Sequence, residues 1–194
     1  MATSTKQPIQ ISAIIGYPNL VDPDENGKYS VLFRITDPES IAAVKALALK
    51  EAERGFPELN GELPPGAHNP IRSAQERKAD GTFAFKSEFI NKAEGAIVIR
   101  AKSGFAPKTA SGEKAIPCDP ADIEGGDEVC AVITGYSYNN QSSGVAFSLG
   151  NILLVNKGDG ELQRGGSGGS FAFDVSKLNF RKPDMLSSDP DAAL

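Results

Sequence analysis

A chain of 194 residues with 40% hydrophobic content can build one core, and its 20 glycines and 13 prolines favour short strands and turns over long helices. No run reaches the about 18 apolar residues a membrane helix needs and no apolar signal segment follows Met1, so a soluble, intracellular protein is expected. Two cysteines, Cys118 and Cys130, with a single histidine, His68, exclude a disulfide framework and a zinc site of ordinary spacing, and the net charge of −5 excludes a uniformly basic surface.

Residues 8–20 are apolar and β-branched and predict a first strand ending at Tyr17-Pro18. Residues 28–36 predict a second, with Tyr29, Val31, Phe33 and Ile35 on one face and Lys28, Leu32 and Arg34 on the other; the two pair as a hairpin. Asp37-Pro38-Glu39 then opens a helix, because aspartate accepts from free N–H groups and proline suits the first turn. Ile41, Val44, Leu47 and Ala48 form its apolar stripe, expected to plug one end or side of a barrel. Gly55 is expected to end it in a left-handed conformation.

Residues 56–81 read as a long irregular excursion, a length that is usually functional. Residues 83–90 are short and aromatic, and residues 95–102 are a strand. Arg100 and Lys102 share one face of that strand, and Phe105 follows. This is the arrangement of a groove in which cations track phosphates and a ring stacks on a base; it is equally a strand ending in solvent-facing cations.

Residues 126–155 are two long alternating strands joined by a polar turn at 139–144. Symmetric closure places Tyr138 opposite Val145 and Tyr136 opposite Phe147, an aromatic cluster that is either a binding platform or core. A glycine-rich segment follows, with one Arg164-Gly165-Gly166 unit that reads as a flexible linker, and then Phe171 and Phe173. The end carries Asp184, Asp189 and Asp191 without a basic residue among its last twelve positions.

Charge is unevenly distributed. Arg72, Arg77, Lys78, Lys86, Lys92, Arg100, Lys102 and Lys108 outnumber the acids around them, whereas residues 115–128 hold Asp119, Asp122, Glu124, Asp127 and Glu128 and no base. A positive groove with an acidic exterior fits this pattern, as does a solvated surface of mixed charge. There is no phosphate-cradling GxxxxGK[ST] and no strand-linked GxGxxG. His68 in a proline-rich loop supports no nucleophilic triad, and the carboxylates lack the spacing of a calcium loop, so neither catalytic residues, nor a metal, nor a cofactor is expected.

The order Gly135-Tyr136-Ser137-Tyr138, then residues 144–152 (GVAFSLGNI), then Gly158-Asp159-Gly160-Glu161 resembles the C-terminal signature of bacteriophage single-stranded-DNA-binding proteins with an OB fold, whose members show "AYAY", "GVSFGLNNVQ" and "DGE". Residues 27–33 followed by a helix are a weaker match, and the resemblance spans about two-thirds of the chain in order. A "DGD"-like element of that family is reduced here to Asp80-Gly81.

The resemblance implies a mainly β, five-stranded antiparallel OB-type barrel with one helix and long loops over residues 1–175, and a flexible acidic-ended tail over 176–194. It implies non-sequence-specific single-stranded DNA binding in phage replication or recombination within the host cytoplasm. Tyr136, Tyr138, Phe147 and Phe105, with Tyr29 as a further candidate, would stack on bases. Arg72, Lys86, Arg100, Lys102 and Lys108 would hold phosphates. Replication proteins recruited by the tail and a homodimer are the further partners implied. The rival assignments are a β-rich virion component that does not bind nucleic acid and, second, a metal-dependent nuclease or recombination enzyme.

Overall fold

The computed structural model describes residues 7–85 and 94–158. Its strands are β1 (Ile9–Asn19), β2 (Tyr29–Ile35), β3 (Ile71–Ser73), β4 (Ile97–Ser103), β5 (Thr109–Ser111), β6 (Ile116–Pro117), β7 (Glu128–Asn139) and β8 (Ser143–Asn156). One α-helix, α1 (Pro38–Gly55), lies between β2 and β3. The strands pair in the order β3-β4-β2-β1-β7-β8-β5-β6, and an additional β4–β8 pairing closes β1, β2, β4, β8 and β7 into a five-stranded barrel.

The closing pair is parallel, with Ala101 beside Phe147 and Lys102 beside Ser148, which corrects the expectation of an antiparallel barrel. The reason is geometric: a closed ring with an odd number of strands cannot alternate in direction all the way round. The other four barrel pairings are antiparallel, including the predicted β1–β2 hairpin.

Alternation fills the interior. Ile11 and Ile15 of β1, Val31, Phe33 and Ile35 of β2, Ile97, Ile99 and Ala101 of β4, and Ile133, Phe147 and Ile152 of the β7–β8 hairpin are all buried in one cluster. Burying each large side chain contributes about 1.5–3 kcal/mol. β1 carries a bulge: Gly16 pairs with Leu32 and Asn19 with Ser30, so Tyr17 and Pro18 together oppose Val31.

The helix begins as its sequence dictates. The Asp37 carboxylate accepts from the Ser40 N–H at 2.7 Å, and Pro38 occupies the first turn. Val44 and Leu47 enter the barrel cluster, with Ile41 and Ala48 packed against it. Gly55 does not take the left-handed exit; the chain leaves through Phe56 at φ −135°, its N–H donating to the Ala52 carbonyl at 2.7 Å. Glycine is required here for space, because a Cβ at Gly55 would overlap the Ser137 side chain.

Two smaller clusters lie outside the barrel. Leu32 and Val98, which point outward, are covered by Ala74, Phe85 and Ala96. Ala110, Cys130 and Leu153 form the other, and neither cysteine is bridged. The 56–81 excursion is more ordered than predicted. It contains β3 and begins a tight hairpin over residues 76–84, in which Ala84 N–H donates to Glu76 O and Lys78 N–H to Thr82 O.

Candidate nucleic-acid interface

The outer faces of β2, β4, β8 and β7 are contiguous, and the register reads across them as rows. Ser30 pairs with Lys102, Lys102 with Ser148, and Ser148 with Thr134. Two residues along, Leu32 pairs with Arg100; extending the parallel β4–β8 register by one residue puts Arg100 level with Ala146, which pairs with Tyr136. Residues two apart share a face, so Arg100 and Lys102 form a cationic stripe on β4 while Tyr136 and Tyr138 form an aromatic one on β7.

Both tyrosines are half-buried, their ring centroids 6.3 Å apart at an interplanar angle of 45°. Burial, and secondarily Tyr138, push the Tyr136 hydroxyl above its ordinary pKa, so it remains a neutral donor. Arg100 is exposed. Lys102 stands 3.6 Å from the Asp24 carboxylate, whose pKa is lowered first by the Lys28 N–H, then by that of Asn26 and by Lys102 itself.

Phe147 corrects the predicted cluster. The β7–β8 loop leaves three residues, 140–142, between the paired Asn139 and Ser143, so Tyr138 pairs with Gly144 and Tyr136 with Ala146. Phe147 then pairs with Gly135 and points inward, 1% exposed. A one-residue change of register moves a side chain to the other face.

Phe105 follows β4 at 85% exposure, its N–H donating to Ser103 Oγ at 3.1 Å. Tyr29 pairs with Ser103 at the same end of the sheet and shares the inward parity of Val31, half-buried at the barrel rim. Lys28, not among the expected phosphate contacts, lies there too; a Cβ on Gly104 would come within 3.3 Å of its Nζ. Lys108 is exposed just before β5, its carbonyl accepting from Ile152 N–H at 2.9 Å.

Arg72 is exposed but engaged. It makes a bidentate pair with Glu76 at 2.8 and 2.7 Å and lies 4.6 Å from the centre of the Phe85 ring. Arg77, named with the basic middle of the chain, lies 4.3 Å over Phe83. The two stacks rigidify the 72–85 segment that flanks the stripe. Lys86 and the acidic-ended tail lie outside the described residues.

On the other side, His68 runs beside the start of β8: its N–H donates to Ser143 O at 2.9 Å and its carbonyl accepts from Val145 N–H at 3.2 Å. Gly144, at φ +155°, permits this approach, since a Cβ there would lie 2.6 Å from the His68 carbonyl oxygen. The acids gather at the far end of the hairpin. There buried Asp127 accepts from Lys157 Nζ at 2.9 Å and from the Gly158 and Glu124 N–H groups, each at 2.8 Å. Among the described residues no His, Cys, Asp or Glu group is arranged to hold a metal, and no helix is long and apolar enough to cross a membrane.

No family model matches the chain, and no curated protein matches it. Solved structures do. The C-terminally truncated single-stranded DNA-binding protein of bacteriophage Enc34 aligns with a TM-score of 0.60 at 18% identity, covering 79% of this chain and 88% of that one. The same phage protein in complex with single-stranded DNA gives 0.59 at 18% identity, covering 79% and 89%. The single-stranded DNA binding protein gp2.5 of bacteriophage T7 gives 0.56 at 16% identity, covering 84% and 91%. The likeness establishes an OB-type barrel shared with phage single-stranded DNA-binding proteins.

Proposed function

We propose that this protein binds single-stranded DNA without strong sequence preference and protects it during phage DNA replication and recombination in the host cytoplasm. The carrying observation is the shared outer face, with Arg100 and Lys102 on β4 beside Tyr136 and Tyr138 on β7. Cations at strand spacing suit a phosphate backbone, and half-buried rings on the same outer face suit bases of any identity, because every base has a stacking face. The fold shared with phage proteins named for single-stranded DNA binding supports the same assignment.

Binding of this kind needs no bond to be made or broken, and we assign the chain a binding role. Tyr136, Tyr138 and Phe105 stack; Arg100, Lys102 and Lys108 hold phosphates, with Arg72 joining when phosphate displaces Glu76. Lys86 belongs to the same basic segment. Recruitment of replication proteins by the acidic-ended tail, and homodimerisation, complete the proposal.

Fluorescence anisotropy with a labelled oligo-dT of about 30 nucleotides, at two salt concentrations and with duplex competitor, tests it. Salt-sensitive binding that duplex fails to displace is the expected result. Absence of binding at low salt overturns the assignment in favour of a virion component.

A further inference from the structure

Tyr17 occupies a backbone conformation that its residue type disfavours twice over. Its φ is +46°, in the left-handed region that bulky aromatic residues rarely adopt, and the proline that follows favours an extended predecessor. Strain of this kind persists only where the surrounding structure enforces it, and it concentrates at ligand sites. Here the enforcement is the β1 bulge, flanked by the Gly16–Leu32 and Asn19–Ser30 pairs. Pro18 is buried, whereas Tyr17 is 46% exposed and has no hydrogen-bond, ion-pair or ring partner among the described residues. Glycine would adopt this backbone without strain, so what tyrosine adds is its ring.

The position of that ring is informative. The two rows bracketing the bulge are those of the cations: Leu32 pairs onward with Arg100, and Ser30 with Lys102. Lys102 then pairs with Ser148, and Ser148 with Thr134, two residues from Tyr136. Tyr17 therefore stands two strands from the cationic stripe across β2, on the part of β1 beyond its pairing with β7, and Tyr136 and Tyr138 stand two strands from the stripe across β8. Bulges commonly re-aim a side chain beside a binding site.

We propose that Tyr17 is a base-stacking residue that completes this interface on the flank opposite Tyr136 and Tyr138. The proposal rests on the assignment of the outer face as a single-strand binding surface. A strand whose phosphates lie on Arg100 and Lys102 meets an aromatic ring on each side, and the bulge presents one of them.

The test compares the unsubstituted chain with Tyr17→Gly and Tyr17→Phe, by oligo-dT anisotropy and thermal melting. Tyr17→Phe is expected to bind as the unsubstituted chain does. Tyr17→Gly is expected to bind on the order of ten-fold more weakly while melting no lower, since the strain is relieved. Equal binding by Tyr17→Gly overturns the role of Tyr17 and leaves the face assignment standing; no binding by the unsubstituted chain overturns both. Should glycine lower the melting temperature, photocrosslinking of the unsubstituted chain to an iododeoxyuridine oligonucleotide decides: an adduct at Tyr17 supports the role and its absence overturns it.

Discussion

Arg100 and Tyr136 stand on either side of Ala146, two strands apart on the outside of the barrel, while Phe147 next to Ala146 points into the core. Under the proposed function, Tyr136 on the outside of this row and Phe147 on the inside divide binding from stability. Tyr136→Ala is expected to weaken oligo-dT binding by roughly 1–3 kcal/mol with little change in melting temperature. Phe147→Ala is expected to cost about 3–5 kcal/mol of stability in urea titration, because it empties a buried ring site.

If the outer face holds phosphates as proposed, Arg100 and Asp24 should act in opposite directions on their binding. Arg100→Ala should lower the slope of log affinity against log salt by about 0.7, the signature of one lost contact with a single strand. Asp24→Asn keeps an oxygen for the Asn26 and Lys28 N–H groups but removes the charge beside Lys102. Its expected effect is tighter binding that fades at high salt.

Gly135 sets how closely α1 approaches β7. A Cβ there would lie 2.6 Å from Glu51 Cγ and 3.1 Å from Leu47 Cγ. Gly135→Ala is expected to destabilise by roughly 1–3 kcal/mol, measured by chemical denaturation, as the helix is pushed off the barrel.

Asp37 links stability to pH. Hydrogen bonds from Ser40 hold its pKa below the ordinary carboxylate value, so its stabilising contribution is complete above the unfolded pKa and is lost as pH falls through the lower, folded one. Asp37→Ala should cost about 1 kcal/mol at neutral pH, and that difference should shrink in strong acid. Paired urea titrations at the two pH values measure it.

Local periodicity made β1, β2, β4, α1 and the β7–β8 hairpin legible in the sequence, because each has an unbroken alternation or a strong cap. The side assigned to Phe147 was not legible, since it depends on whether the loop after Asn139 holds an odd or an even number of residues. Leu32 reads as outward-facing and is so, yet it is buried by Phe85 and Ala74 from a segment far along the chain. Tyr17 gives no signal either, because a bulge on β1 is fixed by the register of β2. The parallel closure depends on pairing between distant strands, which periodicity does not encode.

That closure is also the barrel's narrowest seam. Two residue pairs, Ala101–Phe147 and Lys102–Ser148, hold β4 to β8, against eleven between β7 and β8. Such a seam is where the ring would breathe first, and its amides should exchange with solvent ahead of those deeper in the β7–β8 ladder. It runs between the cationic stripe on β4 and the aromatic stripe on β7. A nucleic-acid strand anchored on Arg100 and on Tyr136 would cross it like a suture, so occupancy of the face would slow the opening of the barrel itself.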